Sequence, residues 1–365
     1  MDMMRHNIDE IDSAILALLA KRLGLAKDLG EAKKNLGIPI YDPAREKAIL
    51  ARLVEENRDR LAPAAVKAIW REIFSSSRQA QTPVRVAFLG PEGTFTQQAA
   101  LARFGSSADM VATQSIAAAF AMVQNGTVNF AVLPVENTLH GIVGETVDLL
   151  GATGLPLIVG EIVTPIHFVF AAHGNDVSCV KKIYSKQESF LQCSGFLNQP
   201  ALAKAERIPS TSTAEAARQA AADPNAAALC PDIAATLAGV PIRFRHIENN
   251  ARNKTRFLVL GHTRPGRTDN DKTSVFAKVP NVSGGLVTLL KSFSDHGINL
   301  TKIESRPMDD AVNFETWFYI DLDGHIDEPN VKALIERHKL VWLGSYRRYV
   351  EDDDAPAQES ERAAQ

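Results

Sequence analysis

Cysteine is scarce: Cys179, Cys193 and Cys230 are the three in 365 residues. An odd number spread this widely gives neither a disulfide framework nor a zinc-ligand pattern, and fits a reduced cytosolic chain. Excess charge of either sign is also lacking, with 40 basic against 43 acidic residues, a net charge of −3 and a pI near 6.3. That excludes a general polyanion-binding role, so any basic site must be local. No uncharged apolar run opens the chain. "MDMMRHNIDEIDSAILALLAKRL" carries charges throughout, unlike a signal peptide or a membrane span. What remains, 45% hydrophobic and 23% charged residues, describes a soluble globular protein long enough for two or three domains.

Three patterns follow one another. Up to about residue 81 the pattern is helical, with Ile8, Ile11, Ile15, Leu18, Arg22, Leu25 and Leu29 spaced as a heptad-like seam. Gly37 and Pro39 end this helix, Asp42-Pro43 caps a second, and Pro63 opens a third reaching Gln81. From Val84, short apolar stretches ("VRVAFLG", "VNFAVLP", "IHFVFAAH", "AAALCP", "TRFLVLG") alternate with alanine-rich helical ones. That alternation predicts a mostly parallel α/β sheet, with room for two lobes. After the polar linker "TRPGRTDNDK", the order β-α-β-β-α-β predicts a ferredoxin-like unit. The acidic end "EDDDAPAQESERAAQ" reads as a disordered tail.

The helices turn polar groups inward. Arg22 takes a seam position, Lys33 lies three turns on at nearly the same angle, Glu46 shares a face with Ile49 and Leu53, and Ser77 and Gln81 continue the stripe of Val66, Trp70 and Ile73. Buried charge needs a partner, and a small dianion would satisfy Arg22 and Lys33 together. "RHNIDEIDSAILALLAKRLGLAKDLGEAKK" followed by "DPARE" resembles the all-helical class of chorismate mutase. The resemblance implies that Arg5 and Arg22 bind the two carboxylates of chorismate, while Lys33 and Gln81 hydrogen-bond the ether oxygen. Glu46 would orient the hydroxyl, and Asp42, Arg45 and Ser77 would complete the pocket. Arg5 stands about 100° round the helix from Arg22, so the family's intertwined dimer, in which this helix lends its arginine to a partner, is expected.

Downstream, "GPEGTFTQQAA", "PVENTLHG" and "STSTAEAA" each put glycine or hydroxyl residues just before a helix. In α/β sheets such crevices bind ligands, although capping alone accounts for Ser212 and Thr213. "GPEGTF", "PVENTLHG" and "NKTRFLVLG" resemble the signatures of prephenate dehydratase. The resemblance implies a two-lobed, periplasmic-binding-protein-like domain in which Thr255 donates to the departing hydroxyl, with Arg256 and Phe257 shaping the pocket. Thr94, Phe95, Glu136, Asn137, Thr138, Ser185 and Ser212 would line it. "SKQES" departs from the family's Ser-His-Pro-Gln, so no binding role is carried to Glu188.

"SGGLVTLLKSF" and "GINLTKIESRP" resemble the ACT domain, an amino-acid-sensing module. The resemblance implies phenylalanine binding between paired subunits at Gly284, Gly285, Leu286, Asn299, Leu300, Glu304, Ser305 and Arg306, with Ser283 standing where relatives have proline.

The expectation is a multidomain chain: an all-α mutase over 1–82, a dehydratase over 83–263, an ACT domain over 272–350 and a tail over 351–365. Together they imply a bifunctional chorismate mutase/prephenate dehydratase, inhibited by phenylalanine, cytoplasmic, at least a homodimer, using no metal or organic cofactor and binding neither nucleic acid nor membrane. Rival readings are an arogenate-preferring dehydratase and a ligand-responsive transcription regulator.

Overall fold

The computed structural model describes residues 1–38, 42–58, 60–153, 155–307 and 316–350. Pro39 and the expected tail lie outside them. The chain forms two units, one of residues 1–85 with 103–109, the other containing nearly all the rest.

The first unit is built on α1 (Asp2–Asn35), α2 (Pro43–Asn57) and α3 (Pro63–Gln81). Gly37 adopts the left-handed backbone (φ +67°) that stops α1. The Asp42 carboxylate accepts the Arg45 N–H at 2.9 Å and caps α2. Helix α1 packs on α3 through its C-terminal half, where Gly30 is buried against Gln81. Residues 1–21 are all exposed, and the seam residues Ile8, Ile11, Ile15, Leu18, Leu25 and Leu29 stand 49–68% exposed.

The second unit opens with β1 (Arg85–Leu89), α4 (Phe95–Phe104), β2 (Asp109–Thr113), α5 (Ile116–Gln124), β3 (Phe130–Asn137), β4 (Gly141–Ile142), α6 (Gly144–Thr153) and β5 (Leu157–Pro165). The chain then crosses to a second lobe: β6 (Val169–Ala172), β7 (Lys182–Ser185), α7 (Gln187–Gln192), α8 (Ser194–Leu197), β8 (Glu206–Pro209), α9 (Thr213–Ala222), β9 (Ala226–Cys230), α10 (Asp232–Leu237) and β10 (Ile242–Arg245). It returns as β11 (Lys254–Gly261). The lobes hold separate sheets, β2-β1-β3-β11-β5 with β4 on β3, and β10-β6-β9-β7-β8. Neither is mostly parallel, contrary to expectation. In the first, β1 and β3 are parallel, but β11 runs antiparallel to both β3 and β5. In the second, β7 parallels β8 and β9 while β6 and β10 pair antiparallel. The strand that returns between lobes enters from the opposite end, which reverses its direction.

The last part is β12 (Asp271–Lys278), α11 (Gly285–Asp295), β13 (Leu300–Pro307), β14 (Thr316–Asp323), α12 (Pro329–His338) and β15 (Val341–Arg347), in sheet order β13-β14-β12-β15. This is the expected ferredoxin-like unit. It does not hang from its linker as a separate body. Phe276, Tyr319, Leu343 and Tyr346 join Leu133, Val147, Ile158 and Leu258 in one buried cluster, so the first lobe and the C-terminal domain share a core. Close approach is permitted at Gly344, where a Cβ would lie 2.1 Å from the Ile158 carbonyl oxygen.

Candidate active sites and the family

In the helical unit, α1 and α3 meet polar face to polar face. Arg22 Nη1 donates to Ser77 Oγ, and its guanidinium lies 5.6 Å from the Phe74 ring centroid. Ser77 in turn donates to the Ile73 carbonyl at 2.7 Å. Partial burial lowers the Arg22 pKa from its ordinary value, and the nearby Glu46 carboxylate offsets part of that. Glu46 is held by Arg78, which is 4% exposed and also donates to the Phe104 carbonyl at 2.7 Å. Arg78 has no place in the sequence reading. Its burial depends on residues 103–109, which join the helical unit from beyond β1. Lys33 and Gln81 are half-buried. Asp42 caps α2 and Arg45 is exposed, so these two do not form part of the Arg22–Ser77–Glu46 group. Arg5 is 71% exposed and 3.9 Å from Asp2. At 1.5 Å per residue it stands about 25 Å along α1 from Arg22.

The dehydratase signatures meet where β3 and β11 lie side by side, with Asn137 opposite Thr255 and Glu136 opposite Arg256. Successive side chains on a strand point to opposite faces, so this register divides the four residues into two pairs. On one face, Asn137 Nδ2 donates to Thr255 Oγ1 at 2.9 Å and to Asn253 Oδ1 at 2.9 Å. Asn137 Oδ1 accepts the N–H groups of Leu139 (2.9 Å) and His140 (3.2 Å), which fixes the amide's orientation. Thr138 Oγ1 accepts the Lys254 N–H at 3.0 Å. Asn253, 2% exposed, also donates to Gln192 of the second lobe at 3.3 Å. Asn253, two residues before Thr255 and not among the expected site residues, ties the Glu-Asn-Thr turn to the Thr-Arg-Phe strand and to the opposite lobe.

On the other face, Arg256 is turned away from Thr255. Its Nε donates to Glu161 at 2.7 Å, Nη1 to Asp321 at 2.6 Å and Nη2 to the Tyr346 hydroxyl at 2.9 Å. Burial alone would depress the Arg256 pKa, but Asp321 and its neighbours outweigh it and raise it. Glu136 points the same way and binds Lys302 at 2.6 Å. The expectation that Glu136 and Arg256 line the cleft beside Thr255 is therefore corrected by the alternation of the strands. Phe257, 1% exposed, is core. Ser185 is fully buried and donates to the Leu229 carbonyl at 2.8 Å, so it does not offer its hydroxyl to a ligand. Ser212 caps α9 by accepting the Glu215 N–H at 3.0 Å, the bland alternative for that residue. Thr94 is half-buried and donates to the Leu89 carbonyl at 3.0 Å, while Phe95 meets Phe168 edge to face at 5.3 Å. Gly93 (φ +92°) lets the lobes approach, since a Cβ there would lie 3.1 Å from the Ala234 Cα.

Three family models match in series: chorismate mutase type II over residues 4–82, prephenate dehydratase over 86–265 and the ACT domain over 273–339. A bifunctional chorismate mutase/prephenate dehydratase of Neisseria gonorrhoeae is 38% identical over 91% of this chain and 91% of its own length. The chain belongs to the bifunctional chorismate mutase/prephenate dehydratase family. Among solved structures, prephenate dehydratase from Arthrobacter aurescens in complex with L-Phe is similar at 33% identity and TM-score 0.66, covering 75% of this chain and 92% of that one. GqqA, described as a novel type of quorum quenching acylase, is similar at 25% identity and TM-score 0.66, covering 73% and 98%.

The stretches expected to hold an effector fall on two places in the C-terminal domain. Gly284 has φ +78° at the start of α11, and a Cβ on Gly285 would lie 2.5 Å from the Pro280 carbonyl oxygen. Leu286 and Leu300 are half-buried, while Asn299 is exposed and donates to Asp323 at 3.0 Å. On edge strand β13, Lys302, Glu304 and Arg306 form the half-buried face and Ser305 the exposed one. Arg306 is already engaged, with Nε and Nη2 on the Asp148 carboxylate of α6 at 2.8 and 2.6 Å. It ties the domain to the dehydratase lobe instead of pointing outward.

Among the described residues one group could hold a metal, His167, His246 and Glu248. Glu248 needs no ion, because one oxygen bonds His167 Nδ1 at 2.7 Å and the other accepts the Phe168 N–H at 2.9 Å. Two ligands of a tetrahedral ion with bonds of about 2.1 Å would sit roughly 3.4 Å apart, wider than this direct bond.

Proposed function

We propose that this chain rearranges chorismate to prephenate in its helical unit and converts prephenate to phenylpyruvate in the cleft between its lobes, under inhibition by phenylalanine. The mutase reaction breaks one C–O bond and forms one C–C bond within a single molecule, with no covalent help from the protein. It is accelerated by holding the reactive conformer and by fixed donors aimed at the ether oxygen as its charge grows. Arg22 binds a carboxylate, Lys33 and Gln81 serve the ether oxygen, and Glu46, braced by Arg78, orients the substrate hydroxyl. Arg5 comes from a second copy. Its distance from Arg22 and the exposed isoleucine and leucine seam of α1 support a homodimer closed along that helix.

In the dehydratase step the ring gains aromaticity as carbon dioxide and hydroxide leave, so the protein's task is to assist the hydroxide. The single observation that carries this reading is the Asn137–Thr255 bond. Since Thr255 Oγ1 accepts from Asn137, its own proton is free to point at the leaving oxygen. The same amide, pinned by two backbone N–H groups, cannot rotate to compete for that proton. Prephenate rather than arogenate is the proposed substrate, and the cytosol the proposed compartment. Among the described residues no helix is long and apolar enough to cross a membrane.

The test is to supply purified protein with chorismate and follow prephenate and then phenylpyruvate. Arg22→Ala should remove the first step and leave dehydration of added prephenate intact, and Thr255→Ala should do the reverse. One substitution abolishing both activities in a folded protein would overturn the two-site assignment.

A further inference from the structure

The two residues facing away from the dehydratase cleft are both held by the C-terminal domain. Arg256 follows Thr255 and is clasped by Asp321 of β14 and Tyr346 of β15. Glu136 precedes Asn137 and is clasped by Lys302 of β13. Behind them stands a buried, charge-balanced group. Asp321 is fully buried and accepts the Ser274 hydroxyl at 2.6 Å, while Glu161 takes Arg256 on one side and Lys272, at 2.9 Å, on the other. Ion pairs this enclosed have few alternative geometries, because an unpaired buried charge is costly. The backbone at Thr255–Arg256 is thus fixed from behind by side chains of another domain, and Lys302 holds Glu136 in a less enclosed pair, 21% and 31% exposed. Lys302 also belongs to the strand that carries Glu304, Ser305 and Arg306.

Granting that Thr255 and Asn137 serve the dehydration, we infer that Glu136 and Arg256 are positioning residues through which the C-terminal domain sets the Asn137–Thr255 pair, and that the Lys302–Glu136 ion pair is the contact by which a ligand on β13 is felt in the cleft. A ligand that shifts β13 moves Lys302, and Glu136 must follow or lose its partner. Asn137 is the next residue on the same strand, so its amide moves relative to Thr255. No contact between ligand and substrate is needed.

Lys302→Met separates this from a merely structural role. It keeps the apolar stem and deletes the charge that holds Glu136. Dehydratase turnover on prephenate, phenylalanine inhibition and phenylalanine binding by calorimetry are measured together, with mutase activity as internal control. Lys302→Met should bind phenylalanine as the unmodified chain does, yet retain dehydratase activity when phenylalanine is saturating. Lys302→Arg should restore inhibition. Asp321→Asn, which keeps the Ser274 bond but weakens the hold on Arg256, should lower kcat about threefold or more with KM nearly unchanged. If Asp321→Asn does not fold, Tyr346→Phe removes one Arg256 contact and should lower kcat in the same sense. Inhibition of Lys302→Met at the original concentrations, or loss of phenylalanine binding in it, would overturn the coupling. A rise in KM at constant kcat in Asp321→Asn would return Arg256 to substrate binding. Should the unmodified chain fail to dehydrate prephenate, the site reading fails, whereas normal turnover and normal inhibition in all variants sink this inference alone.

Discussion

Gly30→Ala isolates the geometry of the mutase pocket from its chemistry. Gly30 lies where α1 crosses α3, and a Cβ there would sit 2.7 Å from Gln81 Cγ, 2.8 Å from its Cβ and 3.2 Å from its Cα. Carbon atoms rest about 3.5–4.0 Å apart, so a gap of roughly 0.7–1.2 Å must open. Rotating the glutamine side chain relieves the Cγ contact alone, because Cβ and Cα move only with the backbone. The helices must therefore separate at the residue proposed to hydrogen-bond the ether oxygen. Alanine stabilises a helix interior by about 1 kcal/mol over glycine, while overpacking costs about 1–3 kcal/mol. The melting temperature should fall modestly or not at all. Catalysis is more sensitive, since a displacement of about 1 Å can cost on the order of 100-fold. Gly30→Ala should accordingly lower the initial rate of chorismate loss by about two orders of magnitude, while dehydration of added prephenate proceeds at the original rate. Full mutase activity in Gly30→Ala would refute the placement of Gln81 in that site.

Three further outcomes follow from other parts of the molecule. Gln81 does not titrate, so mutase activity should persist at neutral pH. Gln81→Glu should instead confine activity to acid, where a carboxyl with an ordinary pKa of about 4.3 keeps a proton to donate, as a pH–rate profile will show. Burial acts to raise the Asp321 pKa, but Arg256 and Lys272 outweigh it and hold it below 3.8. A depressed folded-state value contributes stability above the unfolded pKa and loses it as pH falls through the folded one. Melting of the second unit should therefore be insensitive to this group at pH 5–7 and drop below about pH 3.8, with Asp321→Asn lacking that component. Gly344→Ala would press a Cβ to within 2.1 Å of the Ile158 carbonyl oxygen. Backbone meets backbone there, so a loss of about 1–3 kcal/mol is expected in thermal or denaturant unfolding.

Much of this was legible in the chain because the signals were local. Asp42 and Pro43 start α2, Pro63 starts α3, and Ser212 caps α9, each as its neighbours dictate. The β-α-β-β-α-β order of the last domain was equally plain. The antiparallel entry of β11 was not, since strand direction depends on where the chain has travelled between two apolar runs. Arg78 was hidden for a related reason. Its partners Glu46 and the Phe104 carbonyl lie 32 and 26 residues away, and nothing nearby marks it for burial.

Glu136 is the instructive error, because the information needed was present. A motif read as consecutive letters, Glu-Asn-Thr, invites all its members into one pocket. A strand forbids this, since neighbours point to opposite faces. Once Asn137 is committed to the cleft by Thr255, Glu136 must face away, and Arg256 must do so for the same reason on the paired strand. A carboxylate and a guanidinium sent to the back of a sheet need partners there, and these two make only a long ion pair with one another, at 3.9 Å. That need forecasts a second body carrying a cation for Glu136 and an anion for Arg256, which is what Lys302 and Asp321 provide. The residues beside Thr255 and Asn137 are thus turned to the opposite face of the sheet in this geometry. They connect the cleft to the domain behind it.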